Sequence, residues 1–139
     1  MNKLLLILLI YTSFSACLNK EYSEYQIIDG KSIGKLKIGE KININNINSL
    51  IDFKINSDSI IKELYTSSPR YITLKGVRVG DNIQLIESKY GKPIKQELEL
   101  KKGKYTIGKI ENIMLYKKLI FYHENDTIKS IGIKDNHFF

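Results

Sequence analysis

The chain has 139 residues, a formal net charge of +7 and a single cysteine. This length fits one domain of ordinary size, and a single cysteine excludes a framework of internal disulfides. Arg70 and Arg78 are the only arginines, and the lysines are spread along the whole chain. Because arginine makes the bidentate contacts that nucleic-acid readers favour, we expect no nucleic-acid partner.

Residues 1–16 predict a lipoprotein signal peptide. Lys3 provides a positive charge, Leu4–Ile10 is an unbroken apolar segment, and small residues precede Cys17. The run Phe14–Cys17 resembles a lipobox, the motif in which the chain is cleaved before a cysteine that is acylated on sulfur. We therefore expect Cys17 to be lipidated, with palmitate among its acyl groups, and to begin the mature chain.

Two alternatives to a lipid anchor fit this segment less well. A membrane-spanning helix needs about 20 apolar residues, and the run Leu4–Ala16 is shorter. An ordinary secretory signal would leave Cys17 as a free thiol in an oxidising compartment. The lipobox instead predicts a protein of the bacterial cell envelope that is attached to a membrane through lipid, and to the outer membrane where the cell has two.

The remainder is predicted to form a short tether and one domain. Residues 17–26 comprise the lipidated cysteine and a polar tether, and residues 27–139 a single α+β domain. Within it, Leu36–Ile42 and Val77–Ile83 share one order of residue types, namely apolar, basic, apolar, glycine and acidic. Two such copies indicate a degenerate tandem repeat with halves near 27–70 and 71–139. The segment after the first copy alternates Asn and Ile and predicts no definite element.

The second copy leads into a predicted short helix. Asp81 or Asn82 caps its start, and Gly91 followed by Pro93 ends it. An apolar stripe at helical spacing comprises Ile83, Ile86 and Tyr90. This stripe indicates a helix that lies on another layer of the fold.

That other layer is predicted to be a sheet, because β-branched and aromatic residues alternate with polar ones on both sides of the helix. The predicted strands are Ser59–Thr66, Tyr71–Lys75, Ile94–Lys101, Tyr105–Gly108, an apolar segment at Ile113–Tyr122, and Thr127–Lys134. The segment Asp58–Leu64 also fits a helical turn. Lys102–Lys104 and Glu124–Asp126 are predicted turns. The expected fold class is α+β, an antiparallel sheet with short helices packed on one face.

The helix motif carries a resemblance to a known family. Its residues are Gly80, Asp81, Asn82, Ile86, Tyr90, Gly91 and Pro93. Their spacing resembles bacterial lipoproteins with the β-lactamase-inhibitor-like fold, and is similar to the small lipoprotein of the outer-membrane barrel-assembly machinery. Asp81 and Asn82 stand where that lipoprotein usually carries Met and Thr. The resemblance implies an antiparallel sheet with helices on one side, which binds other proteins and performs no chemistry.

No catalytic or metal-binding motif is found in the sequence. Gly34–Lys41 has the glycine spacing of a phosphate-binding loop, but Glu40 occupies the position of the essential lysine. No serine lies in a nucleophile-elbow motif, and His123 and His137 lack metal-ligand spacing. We therefore expect no enzymatic activity, no cofactor and no metal.

Tyrosines on the predicted strands are the candidate binding surface, because tyrosine is enriched at protein interfaces. They are Tyr65, Tyr71, Tyr105, Tyr116 and Tyr122. Each is also suited to complete a hydrophobic core, so the sequence leaves both roles open.

Three functions follow as hypotheses. The first is a lipid-anchored, non-enzymatic module that binds an unknown envelope protein through the open face of its sheet. The second is an inhibitor or immunity lipoprotein that neutralises a secreted enzyme or toxin. The third is a glycan-binding, small-ligand or enzymatic role, which requires a concave pocket with convergent polar groups.

Lipidation is directly testable at Cys17. We expect Cys17→Ser to release the protein from the membrane fraction, because the acyl chains are its predicted attachment. Fractionation followed by immunoblotting measures this, and equal membrane retention of the two forms would contradict the lipid anchor.

Overall fold

The structure is a computed structural model that describes residues 24–135. The predicted signal peptide, Cys17 and most of the tether lie outside the described residues. Gln26, predicted to end the tether, is instead the first residue of a strand. Within residues 24–135 no helix is long and apolar enough to cross a membrane.

Short strands dominate the fold, as the β-branched and aromatic composition predicts. In chain order the elements are β1 (Gln26–Ile28), β2 (Ser32–Ile33), β3 (Leu36–Lys37), the 3-10 helix η1 (Ile44–Asn46), β4 (Ile51–Ile55), β5 (Ile61–Thr66), β6 (Ile72–Thr73), α1 (Ile83–Tyr90), β7 (Leu98–Lys102), β8 (Tyr105–Ile110), β9 (Ile113–Leu115), β10 (Leu119–Glu124) and β11 (Thr127–Lys134). The α+β class is confirmed.

The strands form three sheets where the sequence predicted one. The largest is antiparallel, with strand order β4-β5-β11-β10-β9. A small sheet has the order β3-β2-β1-β6, in which β1 and β6 run parallel. Strands β7 and β8 pair only with each other and form a two-stranded ribbon. Between residues 26 and 135 the sheets carry one short α-helix, and not the several helices expected.

The hydrophobic core lies between one face of the five-stranded sheet and a layer made of the small sheet and α1. Leu64 and Phe121 from the five-stranded sheet share this core with Ile33 from the small sheet and Ile86 from α1. All four side chains are fully buried. Burial of each such side chain stabilises the fold by roughly 1.5–3 kcal/mol, which a chain without disulfides requires.

Helix α1 forms where the sequence predicts it. The side-chain oxygen of Asn82 accepts a hydrogen bond from the Gln84 N–H at 2.9 Å, which satisfies one free donor of the first turn. Gly91 ends the helix with a φ of 76°, a conformation that favours glycine. The caps are local interactions, so the sequence itself indicates where the helix begins and ends.

The first glycine turn, at Gly39, docks on strand β5. Its N–H donates to the Ile61 carbonyl at 2.8 Å, and the Ile61 N–H donates to the Glu40 carbonyl at 2.9 Å. Gly39 has a φ of 86°, which an L-residue adopts only with strain. These two bonds attach the segment that precedes η1 to the β4–β5 hairpin.

The second glycine turn, at Gly80, docks on strand β11 by the same pair of bonds. Its N–H donates to the Ile128 carbonyl at 2.9 Å, and the Ile128 N–H donates to the Asp81 carbonyl at 2.9 Å. Gly80 has a φ of 98°. The two similar segments therefore occupy similar places in the structure, but their continuations differ, with α1 after Gly80 and η1 after Gly39.

The chain after Pro93 departs from its prediction. Ile94 and Lys95 are hydrogen-bonded to Leu115 at the edge of β9, with distances of 2.7 and 2.8 Å. Strand β7 begins only at Leu98, and most of its side chains are exposed. The alternating pattern therefore produces a protruding ribbon instead of a strand with one buried face.

The conformation of Gly80 predicts the effect of replacing it. We expect Gly80→Val to lower the free energy of unfolding by about 1–3 kcal/mol, because a β-branched residue is strained at positive φ. A Cβ at this position has no neighbour within 4 Å, so the loss measures backbone strain and not overlap.

The matched control is Gly108→Val in strand β8. Gly108 has no positive φ, and its nearest neighbour to an added Cβ is 3.8 Å away. We expect its unfolding free energy to stay within about 0.5 kcal/mol of the parent. Urea denaturation compares the two, and equal losses would contradict the strain argument.

Candidate binding surface

The second face of the five-stranded sheet carries the best candidate site, and we call it the outer face. Side chains alternate along a strand, so the residues beside core-facing Leu64 and Phe121 point away from the core. The outer face thus includes Glu63, Tyr65 and Tyr122. The opposite face of the sheet is buried in the core, so the outer face is the one that a partner can reach.

The β7–β8 ribbon covers one end of the outer face. Leu98 and Ile110 at the base of the ribbon pack against a second buried cluster, formed by Ile113, Leu115 and Ile120. Tyr65 and Tyr122 are partly buried against the same cluster. The tyrosine pair therefore lies at the border between the covered and uncovered parts of the outer face.

Tyr65 and Tyr122 are neighbours across the sheet. Their ring centroids are 6.3 Å apart, and the rings are tilted by 54°. Gly132 lies directly opposite Tyr65 in the strand pairing, and a Cβ at Gly132 would overlap the Tyr65 ring. The glycine therefore provides the space in which this tyrosine lies across the sheet.

A charged cluster centres on Glu63, whose side chain is 18% exposed. The Tyr65 hydroxyl donates a hydrogen bond to its carboxylate. Lys54 and Lys134 approach the carboxylate from the two flanking strands, at 3.1 and 3.7 Å. One hydroxyl and two ammonium groups, from three strands, therefore surround one acid.

The contacts of this cluster lower the pKa of Glu63 and raise the pKa of Tyr65. Partial burial raises the pKa of Glu63, but the hydrogen bonds from Tyr65 and Lys54 and the charges of Lys54 and Lys134 outweigh it, so the pKa lies below its ordinary value. Burial, and then the Glu63 carboxylate, raise the pKa of the Tyr65 hydroxyl. The glutamate is therefore ionised and the tyrosine neutral at physiological pH.

The arrangement fixes the position of Tyr65 beside charged groups. Tyr65 is held by packing and by Glu63, and an ammonium of Lys54 lies 5.6 Å from its ring centroid. A raised phenol pKa makes Tyr65 a poor base or nucleophile. Within residues 24–135 no group of three or more acidic, histidine or cysteine side chains could hold a metal ion.

The five candidate tyrosines divide between surface and core. Tyr65 and Tyr122 meet on the outer face, and Tyr105, 69% exposed, lies on the ribbon. Tyr71 is only 2% exposed, so it takes the core role that the sequence also left open. Tyr71 precedes β6 and packs its ring against Tyr25, so its phenol body fills the core.

Tyr116 also departs from its prediction. It lies between β9 and β10 and on neither strand. Its ring packs 5.5 Å from that of Tyr90 and 6.0 Å from that of Phe121. Its hydroxyl donates to the Gly91 carbonyl at 2.7 Å, and so Tyr116 fastens the end of α1 to the sheet.

The glycine and helix motif has structural roles throughout. The carboxylate of Asp81 accepts a hydrogen bond from the Arg78 N–H at 2.9 Å and so stabilises the turn. Ile86 is fully buried, and the ring of Tyr90 lies 5.6 Å from that of Phe121. Gly80, Asn82 and Gly91 provide turn and caps, and Pro93 follows the helix.

Sequence reasoning missed Glu63, Lys54 and Lys134. Their meeting depends on which strands are neighbours, and no local pattern encodes that. Gly132 does leave a signal, since an isolated glycine within an apolar strand often marks a close approach of another group.

Comparison of the chain with protein-family models, curated proteins and solved structures found no match. The chain's own residues are therefore the basis on which a function can be proposed.

The lowered pKa of Glu63 predicts acid sensitivity. Its interactions stabilise the fold above the ordinary pKa of 4.5 and are lost as the pH falls through the lower folded value. We expect Glu63→Gln to lower the unfolding free energy at neutral pH by about 1–2 kcal/mol and to flatten its decline in acid.

Glu99→Gln on the ribbon is the matched control. Glu99 pairs with Lys101 at 3.5 Å, but both side chains are about half exposed, so solvent screens the pair. Urea denaturation across the acidic range compares the two variants. The same pH profile for both would contradict a special role for Glu63.

Proposed function

We propose that this chain is a lipid-anchored, non-enzymatic protein-binding module of the bacterial cell envelope. The lipobox-like run that ends at Cys17 supports the anchor and the location. The outer face supports the binding role. A short sequence between Cys17 and the first described residue, Glu24, keeps the domain close to the membrane on which the partner is expected.

The observation that carries the proposal is the pairing of Tyr65 and Tyr122 beside the Glu63 cluster. Rigid tyrosines at the centre of a surface, surrounded by charged groups, are typical of residues that dominate binding energy. Here the tyrosine pair lies between an apolar base, which the ribbon covers, and charged side chains on the open strands. The partner therefore meets an aromatic centre with a charged border.

The ribbon extends the same surface. Tyr105 and Ile107 are both about two-thirds exposed, and Lys102 and Lys104 flank its turn. Neither lysine has a carboxylate within ion-pair distance among residues 24–135. An apolar and basic ribbon favours a partner with exposed apolar side chains and an acidic border.

Crosslinking from the outer face tests the proposal. Ser130 faces Tyr122 across the β10–β11 pair, and it is replaced by the photoreactive residue benzoylphenylalanine in the full chain. We expect one dominant adduct from native cells. Adding Tyr65→Ala and Tyr122→Ala is expected to lower its yield about tenfold, the effect of roughly 1.4 kcal/mol.

Ser57, exposed in the β4–β5 turn, provides the matched control with the same photoreactive substitution. An equal adduct from Ser57, or a yield that the tyrosine substitutions do not change, would contradict binding at the outer face. The identity of the captured protein then separates an envelope partner from the alternative, an inhibitor or immunity protein bound to a secreted enzyme or toxin.

A further inference from the structure

A groove of about 470 Å³ lies beside η1, near the first of the described residues. We call it the η1 groove. Its lining includes Tyr25, Leu36, Asn45, Asn46, Ile47 and Tyr71. This volume lies within the range of pockets that bind small molecules.

The η1 groove exists because the two glycine turns have different continuations. After Gly80, helix α1 buries Ile86 and covers the core. After Gly39, the chain forms η1, none of whose residues is buried, and Ile44 is 82% exposed. The first segment therefore stands away from the core and leaves a concave surface beside it.

The floor of the η1 groove is apolar and aromatic. Leu36 and Tyr71 are each only 2% exposed, and the ring of Tyr25 lies 5.7 Å from that of Tyr71. Gly34 leaves space for the Tyr71 ring, because a Cβ there would lie 3.0 Å from both the ring and the Glu24 carbonyl. Tyr25 itself is 41% exposed and thus presents an aromatic surface to a ligand.

The side-chain amides of Asn45, Asn46 and Asn48 line one wall of the η1 groove, and Asn43 precedes them in the same loop. Asn43 and Asn48 hold the loop: the Asn43 oxygen accepts from the Asn45 N–H, and the Asn48 amide donates to the Tyr71 hydroxyl, both at 3.0 Å. Asn45 and Asn46 have no hydrogen-bonded side-chain partner within residues 24–135. Asn45 and Asn46 are exposed, so their amides lie at the solvent-facing wall of the groove.

Five backbone N–H groups of the loop already donate hydrogen bonds within it. The N–H groups of Asn46, Ile47 and Ile51 each donate to a carbonyl of the same loop, at 2.9 to 3.3 Å. Those of Asn45 and Leu50 donate to asparagine side chains. These bonds make the loop poorly suited to pair with an added peptide strand, because strand addition requires free backbone groups.

We propose that the η1 groove binds a saccharide. A sugar ring has an apolar C–H face for the Tyr25 ring and adjacent hydroxyls that both donate and accept hydrogen bonds. Asn45 and Asn46 offer the matching donors and acceptors on one side chain each. Glu24 and Lys35 at the rim pair with each other at 3.6 Å, so the groove itself does not require a charged sugar.

The test uses the purified full-length chain and three named probes: cellotetraose, chitotetraose and mannotetraose. We expect at least one to bind with a Kd below about 10 mM and to shift the side-chain amide resonances of Asn45 and Asn46 in NMR spectra. Tyr25→Leu is expected to weaken that binding about tenfold, whereas Tyr25→Phe, which keeps the ring, preserves it.

Tyr105→Leu on the ribbon is the matched control, and it should leave saccharide binding unchanged. Thermal unfolding of each variant verifies the fold. The proposal is overturned if none of the three saccharides shifts the amides, if Tyr25→Leu binds as well as the parent, or if tetraalanine binds where the saccharides do not. None of these results depends on the outer face, so the proposed function is tested separately.

Discussion

The pairing of β5 with β11 is the interaction on which the rest of the structure depends. It joins the β4–β5 hairpin to the β10–β11 hairpin and makes one sheet of both halves of the chain. Leu64 lies opposite Ile133 on the core face, and Tyr65 lies opposite Gly132 on the outer face. A slip of one residue would reverse the two faces, so the core and the candidate surface are fixed by one register.

The same register explains why the sheet tolerates a carboxylate whose side chain is only 18% exposed. Glu63 lies between Lys54 on β4 and Lys134 on β11, with the Tyr65 hydroxyl beside it. Loss of water around the acid is offset by one hydroxyl and two ammonium groups that the strands themselves position. Removing either neighbouring strand would leave the charge under-compensated, so the cluster also favours the correct strand order over others.

Local signals in the sequence predicted some elements fully. Helix α1 lies between its cap at Asn82 and its stop at Gly91, and strand β11 covers Thr127–Lys134 as expected. The parallel pairing of β1 with β6 was not predictable, because strands of three and two residues are too short for their sequence to indicate a partner strand. The sequence also did not indicate that Tyr71 is buried, because an amphipathic side chain suits both core and surface.

The two glycine turns show how similar segments acquire different uses. Both dock on a sheet strand through the same two hydrogen bonds, at Ile61 and at Ile128. The hydrogen bonds of the two turns therefore do not determine how the core is covered. The residues that follow each turn determine it. Apolar residues at helical spacing after Gly80 produce α1, whereas alternating Asn and Ile after Gly39 give an exposed loop whose amides cap its own backbone. The core stays covered without a second helix because Leu36, Ile51 and Tyr71 are buried beside the loop. The same three side chains line the η1 groove.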